Sequence, residues 1–273
     1  MKFKSVLGLF WSVGLVVLMA WLGKEGYRSA IAYEETARQM SRMMEAESLA
    51  ESRLKELAST LTFGLVRNDL RERMERLRGE REALRERNGE LAAAFGIAAG
   101  AALASWWVLT PRLYTALLSL AALVSLINGL VTPILMIVVH KEVEYLGDVV
   151  LSFESKGILG SLQKLFAEGS VAVGGVILLF SVLLPAAKTL SLLFVSLFET
   201  RPFAAKMVRF FKVLGKWSML DVFVVALLVV YLGAGNGGTS RSEIEIGVYF
   251  FLAYVLLSMA ASLAAERMLK QVG

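Results

Sequence analysis

Apolar runs long enough to cross a bilayer constrain this chain more than any other feature of its sequence. Such runs cover residues 5–23, 91–109, 113–139, 171–198, 217–232 and 246–265. About 20 apolar residues in a helix span the roughly 30 Å hydrocarbon core of a membrane. Because 56% of the residues are hydrophobic and mean hydropathy is +0.62, the composition also fits this class. The sequence therefore predicts an all-α polytopic membrane protein with about six transmembrane helices.

The segment between the first two runs has a different character. Residues 24–90 hold 14 basic and 14 acidic residues and no proline. Apolar residues follow a heptad spacing there and into the next run, with Arg81 and Asn88 in two of the core positions; the apolar positions are Leu70, Met74, Leu77, Leu84, Leu91 and Phe95. This pattern is typical of paired helices with charged outer faces. It predicts an α-helical hairpin or coiled coil outside the membrane.

Charged loops indicate the orientation of the predicted spans. The loop at residues 199–216 carries five basic residues and one acidic residue, whereas residues 140–169 carry five acidic residues and three lysines. Lys and Arg are enriched in cytoplasmic loops, and six crossings satisfy this rule at every short loop. We therefore expect cytoplasmic N- and C-termini and an external hairpin.

Four regions follow from these patterns. Residues 1–23 are predicted to form an uncleaved transmembrane anchor, and residues 24–90 the external hairpin. Residues 91–112 add a transmembrane helix and a short inner loop. Residues 113–273 form a module of four transmembrane helices.

Two ionisable residues lie well inside predicted spans, Lys188 and Asp221. A charge at the centre of a bilayer costs about 2.5–3.5 kcal/mol on insertion scales, so such residues face a partner or a polar cavity. Their two helices are joined by a short inner loop, which allows them to approach each other. The pair is interpreted either as a polar transport site or as a structural ion pair, with snorkelling of Lys188 as a further alternative.

Prolines interrupt two predicted spans. Pro133 and Pro185 each remove a helical hydrogen bond and are predicted to kink their helices. Asn128 and Thr132, which precede Pro133, are candidates to satisfy the freed backbone groups. Such kinks suit the lining of a cavity but are also common in membrane helices.

Several function classes lack support in the sequence. With no cysteine and one histidine, a thiolate or histidine-rich metal site is not expected. We find no nucleophile–base set and no phosphate-binding loop, so neither an enzyme nor a cofactor is predicted. The basic inner loop is expected to set topology and to meet anionic lipid rather than nucleic acid.

Three stretches carry a resemblance to a known family. They are "LGKWSMLDVFVVALLV" (214–229), "LLPAAKTLSLLF" (183–194) and "LINGLVTPILMI" (126–137). Across residues 113–268 the chain resembles the paraquat-inducible protein A family of bacterial inner-membrane proteins. The resemblance implies a role in envelope lipid transport beside periplasmic mammalian-cell-entry (MCE) domain proteins, with phospholipid or another lipid as cargo.

The resemblance also implies a polar intramembrane site at Lys188, Ser218 and Asp221, with Asn128 and Thr132 nearby. Family members often carry two modules and cysteine-rich zinc ribbons, whereas this chain shows one module and no cysteine. Zinc is therefore not expected. A membrane receptor or sensor, or a structural scaffold with an external coiled coil, remains the alternative function.

Overall fold

Long helices dominate the architecture. The computed structural model describes residues 2–56, 63–143, 147–198 and 240–272. Its helices are α1 (Lys2–Glu56), α2 (Phe63–Ala104), α3 (Pro111–Val131), α4 (Ile158–Ala167), α5 (Val171–Leu178), α6 (Leu184–Phe198) and α7 (Ile246–Val272). Its strands are β1 (Leu135–Val143), β2 (Gly147–Lys156) and β3 (Ser240–Ile244).

Five helical stretches within the described ranges are long and apolar enough to cross a membrane. They are Val6–Arg42, Glu72–Trp107, Pro111–Val131, Val171–Phe198 and Ile246–Met268. These stretches coincide with five of the predicted spans and confirm that apolar helices of spanning length form there. The remaining predicted span, residues 217–232, lies outside the described residues.

The first two helices pair with each other and continue without a break from apolar span to charged arm. In the arms, Met40, Met74 and Leu77 form a buried cluster, so this part of the predicted heptad pattern marks a helix–helix contact. Arg81 donates a hydrogen bond of 3.1 Å to the Tyr33 hydroxyl across the pair. Neither helix is interrupted at the predicted domain boundaries, between residues 23 and 24 in α1 and between residues 90 and 91 in α2.

We name the two ends of the bundle after these features. The hairpin end is where α1 and α2 continue into their arms, near Glu25 and Asn88. The Arg112 end is the opposite end, where Arg112 begins α3.

Helix α3 lies at the centre of the apolar core. Its sides pack against α1, α6 and α7, with the most extensive contact to α7. That approach is close because Gly129 lacks a side chain, and a Cβ there would lie 3.0 Å from the backbone nitrogen of Phe251. Leu117 and Leu118 of α3 are almost completely buried.

Helix α3 ends at Val131, which corrects the predicted span of residues 113–139. Thr132 has an extended backbone (φ −83°, ψ 142°), as steric conflict with a following proline ring favours. Pro133 therefore ends the helix instead of kinking a longer one. The β-branched and apolar residues that follow form β1, and this strand was not predicted.

The resulting antiparallel sheet has the strand order β2-β1-β3. Met136 of β1 packs with Tyr33 and Ala37 of α1, so the sheet lies beside the base of the hairpin. β3 leads directly into α7, and the Gly247 amide donates a 3.1 Å hydrogen bond to the Pro133 carbonyl. The sheet thus ties α3 and α7 together at the hairpin end.

Candidate functional site

One face of α6 carries a buried lysine. Pro185, Lys188, Thr189 and Leu192 are all buried and follow the i, i+3, i+4, i+7 spacing of a single helix face. Lys188 is only 8% exposed. Because residues on the opposite face, such as Leu190 and Phe194, are about half exposed, the lysine faces the protein rather than lipid.

The contacts of Arg112 with the end of α6 show how far inside the bundle this lysine lies. Its Nε donates to the Ser196 carbonyl at 2.8 Å and its Nη2 to the Leu197 carbonyl at 2.6 Å. The C-terminal end of α6 is therefore held at the Arg112 end. Lys188 lies eight residues before Ser196, which places it about 12 Å further into the bundle at a rise of 1.5 Å per residue. Lys188 therefore lies well inside the apolar stretch Val171–Phe198, away from both of its ends.

Helix α3 contributes hydroxyl groups to the same interior. Thr115, Ser119 and Ser125 are all fully buried. Thr115 and Ser125 donate to backbone carbonyls of their own helix at 2.8 Å, whereas the Ser119 Oγ has no hydrogen-bond partner among the described residues. α3 and α6 run antiparallel from Arg112, so Ser119 lies at roughly the depth of Lys188.

Asn128 and Thr132 lie closer to the hairpin end. Asn128 donates from Nδ2 to the Val124 carbonyl at 2.8 Å. Thr132 is fully buried, and its Oγ1 has no partner within the described ranges. Asn128 is nine residues beyond Ser119, or about 14 Å along the helix axis. The structure therefore separates Asn128 and Thr132 from Lys188 instead of gathering them into one cluster.

The helix around Pro185 is irregular. Leu179–Leu183 form a π-helical turn immediately before α6, within the continuous span Val171–Phe198. Proline has no amide hydrogen to donate to the preceding turn, and π turns are a common way to accommodate such a gap. Lys188 follows this turn directly. Asp221 and Ser218, the other predicted site residues, lie outside the described residues.

Two features of this interior were missed by the sequence analysis. The first is Ser119, whose signal was its i, i+4 spacing from Thr115. The second is Gly23 of α1, against which the Asn128 side chain packs so closely that no Cβ would fit. Nothing in the local sequence marks Gly23. In the part of the chain that the structure describes, no three acidic, histidine or cysteine side chains form a metal site.

A comparison with protein families shows to which family the helices that carry Lys188, Ser119 and Asn128 belong. The model of the paraquat-inducible protein A family matches residues 113–270, which is more than half of the chain. The chain belongs to the paraquat-inducible protein A family. The expectation drawn from the three sequence stretches is thereby confirmed. Comparison with curated proteins and with solved structures gives no match.

The paraquat-inducible protein A module of this chain includes α3, α5, α6 and α7 but not the first two helices. Helix α1 nevertheless packs against α3, and α2 packs against α7. Trp11 of α1 also donates a 3.0 Å hydrogen bond to Ser105, just after α2. The first two helices are therefore packed onto the family module.

Proposed function

We propose that this protein is a component of an envelope lipid-transport system in the bacterial inner membrane. It would load or extract lipid for a periplasmic MCE-type partner through a polar intramembrane site. The observation that carries the proposal is Lys188, which is buried well inside a candidate membrane span, on the protein-facing side of α6 within the family module. Ionisable residues inside membrane spans commonly mark the path of a charged substrate, and a lipid phosphate is a group that a lysine attracts.

The chemistry of Lys188 suits an anionic headgroup. An ammonium group in a medium of low dielectric attracts a phosphate much more strongly than it does in water. The hydroxyl of Ser119, which has no partner in the described part of the chain, lies at a similar depth on α3 and is proposed to offer one further hydrogen bond. In this proposal Asp221 balances the lysine when no lipid is bound, and Ser218 lines the same site.

The hairpin is proposed to be the docking arm. The charge distribution of the loops favours cytoplasmic termini, and in that orientation the hairpin would lie in the periplasm. Its two arms are continuous with the spans, and α1 contacts Asn128 through Gly23. A partner bound to the arms would therefore act directly on a helix that packs against the family module.

Replacement of the charged pair tests the polar site. Lys188→Met and Asp221→Asn are each expected to abolish complementation of an envelope-barrier defect in a strain that lacks this protein. Lys24→Met, which removes an exposed lysine at the hairpin end, serves as the control and should complement fully. Full complementation by a Lys188→Met/Asp221→Leu double variant would show that the pair is only structural and would support the scaffold alternative.

Co-purification tests the partner. When the intact chain is cross-linked in cells and isolated from membranes, we expect a protein with MCE domains to co-purify with it. Leu77→Glu disrupts the buried contact between the arms. This variant should no longer co-purify with the MCE-domain protein, although it should remain in the membrane. Recovery of a cytoplasmic signalling protein in place of an MCE protein would favour the receptor alternative.

A further inference from the structure

A short amphipathic helix, α4, connects the sheet to the span that carries Lys188. Its ten residues, Ile158–Ala167, extend over about 15 Å. At 100° per residue its five large apolar side chains fall within an arc of about 120°. They are Ile158, Leu159, Leu162, Leu165 and Phe166. Ser161, Gln163 and Lys164 lie outside this arc, so the helix has one apolar face and one polar face.

Both ends of α4 lie at the ends of candidate membrane spans, on the hairpin side. The N-cap residue Gly157 lies where α3 has just ended, since a Cβ there would be 3.6 Å from the Thr132 carbonyl oxygen. After α4 the chain reverses at Gly169, whose φ of 79° is in the left-handed region, and the next span begins at Val171. α4 therefore bridges two spans at the level where they leave the apolar core.

The protein covers only part of the apolar face of α4. Leu162, at the centre of the face, is 4% exposed. The ring of Phe166 lies against α5, since a Cβ at Gly174 would be 3.1 Å from it. Leu159 and Phe166 are nevertheless 37% and 39% exposed. These two residues are seven positions apart and share one edge of the face, so this edge is open.

The open edge continues the exposed apolar surface of α5. Val171 and Val173 are 61% and 55% exposed within a span, as expected of side chains that face lipid. Phe166 packs on Gly174 of that same helix, so the edge of α4 adjoins this surface. Amphipathic helices at this level lie in the plane of the interface, with the apolar face about 5–10 Å into the boundary between headgroups and acyl chains.

We infer that α4 is a membrane-surface helix whose partner is the bilayer leaflet on the hairpin side. Leu159 and Phe166 insert at the boundary between headgroups and acyl chains, while Gln163 faces headgroups and water. A helix of ten residues is marginal in water by itself, so lipid contact also stabilises it. This role is independent of lipid transport, because it needs only the membrane and not the site at Lys188.

Site-directed spin labelling of the full chain tests this position, because the sequence has no cysteine of its own. Leu159→Cys labels the open edge, and Gln163→Cys is the matched control on the exposed polar face. Each nitroxide is studied in vesicles of dioleoyl phosphatidylethanolamine and dioleoyl phosphatidylglycerol. Its collision rates with oxygen and with a water-soluble nickel chelate give its depth. We expect the label at position 159 about 5–10 Å below the phosphates and the label at position 163 at or above them.

Two results would overturn the assignment. The first is a label at position 159 that is as accessible to the nickel chelate as the label at position 163, because α4 would then lie in water. The second is a label at position 159 that is shielded from both reagents, because a second copy of the chain or a partner protein would then cover the edge.

A pair of charge substitutions provides a second test that needs no label. Leu159→Glu places a carboxylate on the open edge and should speed amide hydrogen exchange in α4 about tenfold in the same vesicles. Gln163→Glu adds the same charge to the polar face and should leave exchange within about twofold of the wild type. Equal acceleration by the two variants, or none by Leu159→Glu, would contradict insertion of this edge into lipid.

Discussion

Gly23 and Asn128 provide the sharpest test of whether α1 is packed onto the family module or merely anchors the chain. A Cβ at Gly23 would lie 2.6 Å from the Asn128 Oδ1 and closer still to other atoms of the same amide. To relieve this overlap, the amide must turn away and give up its 2.8 Å hydrogen bond to the Val124 carbonyl. Gly23→Ala is therefore expected to destabilise the protein.

The magnitude follows from two opposing effects. Overpacking of a well-packed interface costs about 1–3 kcal/mol. Glycine-to-alanine replacement in a helix by itself gains about 1 kcal/mol. Gly14→Ala in the same helix isolates that gain, because no atom lies within 4 Å of its added Cβ. The Tm of Gly23→Ala should therefore fall about 2–12 °C below that of Gly14→Ala, at about 2–4 °C per kcal/mol.

Tryptophan fluorescence during thermal unfolding in detergent micelles measures this difference. An Asn128→Ala background removes the obstructing amide, so Gly23→Ala should then behave as Gly14→Ala does. Such a double-mutant cycle attributes the cost to the contact itself. Equal melting of the Gly23 and Gly14 variants, or no rescue by Asn128→Ala, would refute the packing of α1 onto α3.

Two further replacements have definite expected outcomes in the same unfolding assay, and a third has one in hydrogen exchange. Arg112→Ala removes charged hydrogen bonds to the last carbonyls of α6 and should lower the free energy of unfolding by about 1.5–3 kcal/mol. Arg112→Lys should retain part of this stability. An unchanged Tm would contradict a stabilising role for these hydrogen bonds. Gly247→Ala places a Cβ against the Pro133 carbonyl, which is backbone and cannot turn away, so the Tm should fall. A wild-type Tm would contradict the close junction of α3 and α7. Tyr33→Phe removes the acceptor of the hydrogen bond from Arg81 and should speed hydrogen exchange in the arms about two- to tenfold without releasing the spans.

Sequence reasoning succeeded where a single periodic pattern decides the structure. The apolar runs predicted each of the five spans that the structure describes, because bilayer thickness sets the length of such runs. The heptad pattern predicted the burial of Met74, Leu77 and Phe95. Lys188 was singled out for the same kind of reason, since a charge in an apolar helix is costly wherever it points.

The sequence analysis failed where tertiary contacts or a local steric rule decide the structure. Residues 113–139 form one apolar run, and hydropathy does not distinguish its last part from a helix. The available signals were Pro133 and the β-branched residues after it, which favour a strand. The close contact of Gly23 with Asn128 joins residues from distant parts of the chain, so no local pattern shows it. Ser119 was overlooked because serine and threonine residues are ordinary in membrane helices, even at the i, i+4 spacing of Thr115 and Ser119.

The lipid content of the purified protein tests the proposed function most directly. Phospholipid retained per chain after detergent extraction and size-exclusion chromatography should be quantified for the wild type, Lys188→Met and the exposed-lysine control Lys24→Met. We predict that the wild type and Lys24→Met retain bound phospholipid, and that Lys188→Met loses most of it while it elutes as a folded protein. Equal phospholipid in the wild type and Lys188→Met, or none in the wild type, would contradict a lipid site at this buried lysine.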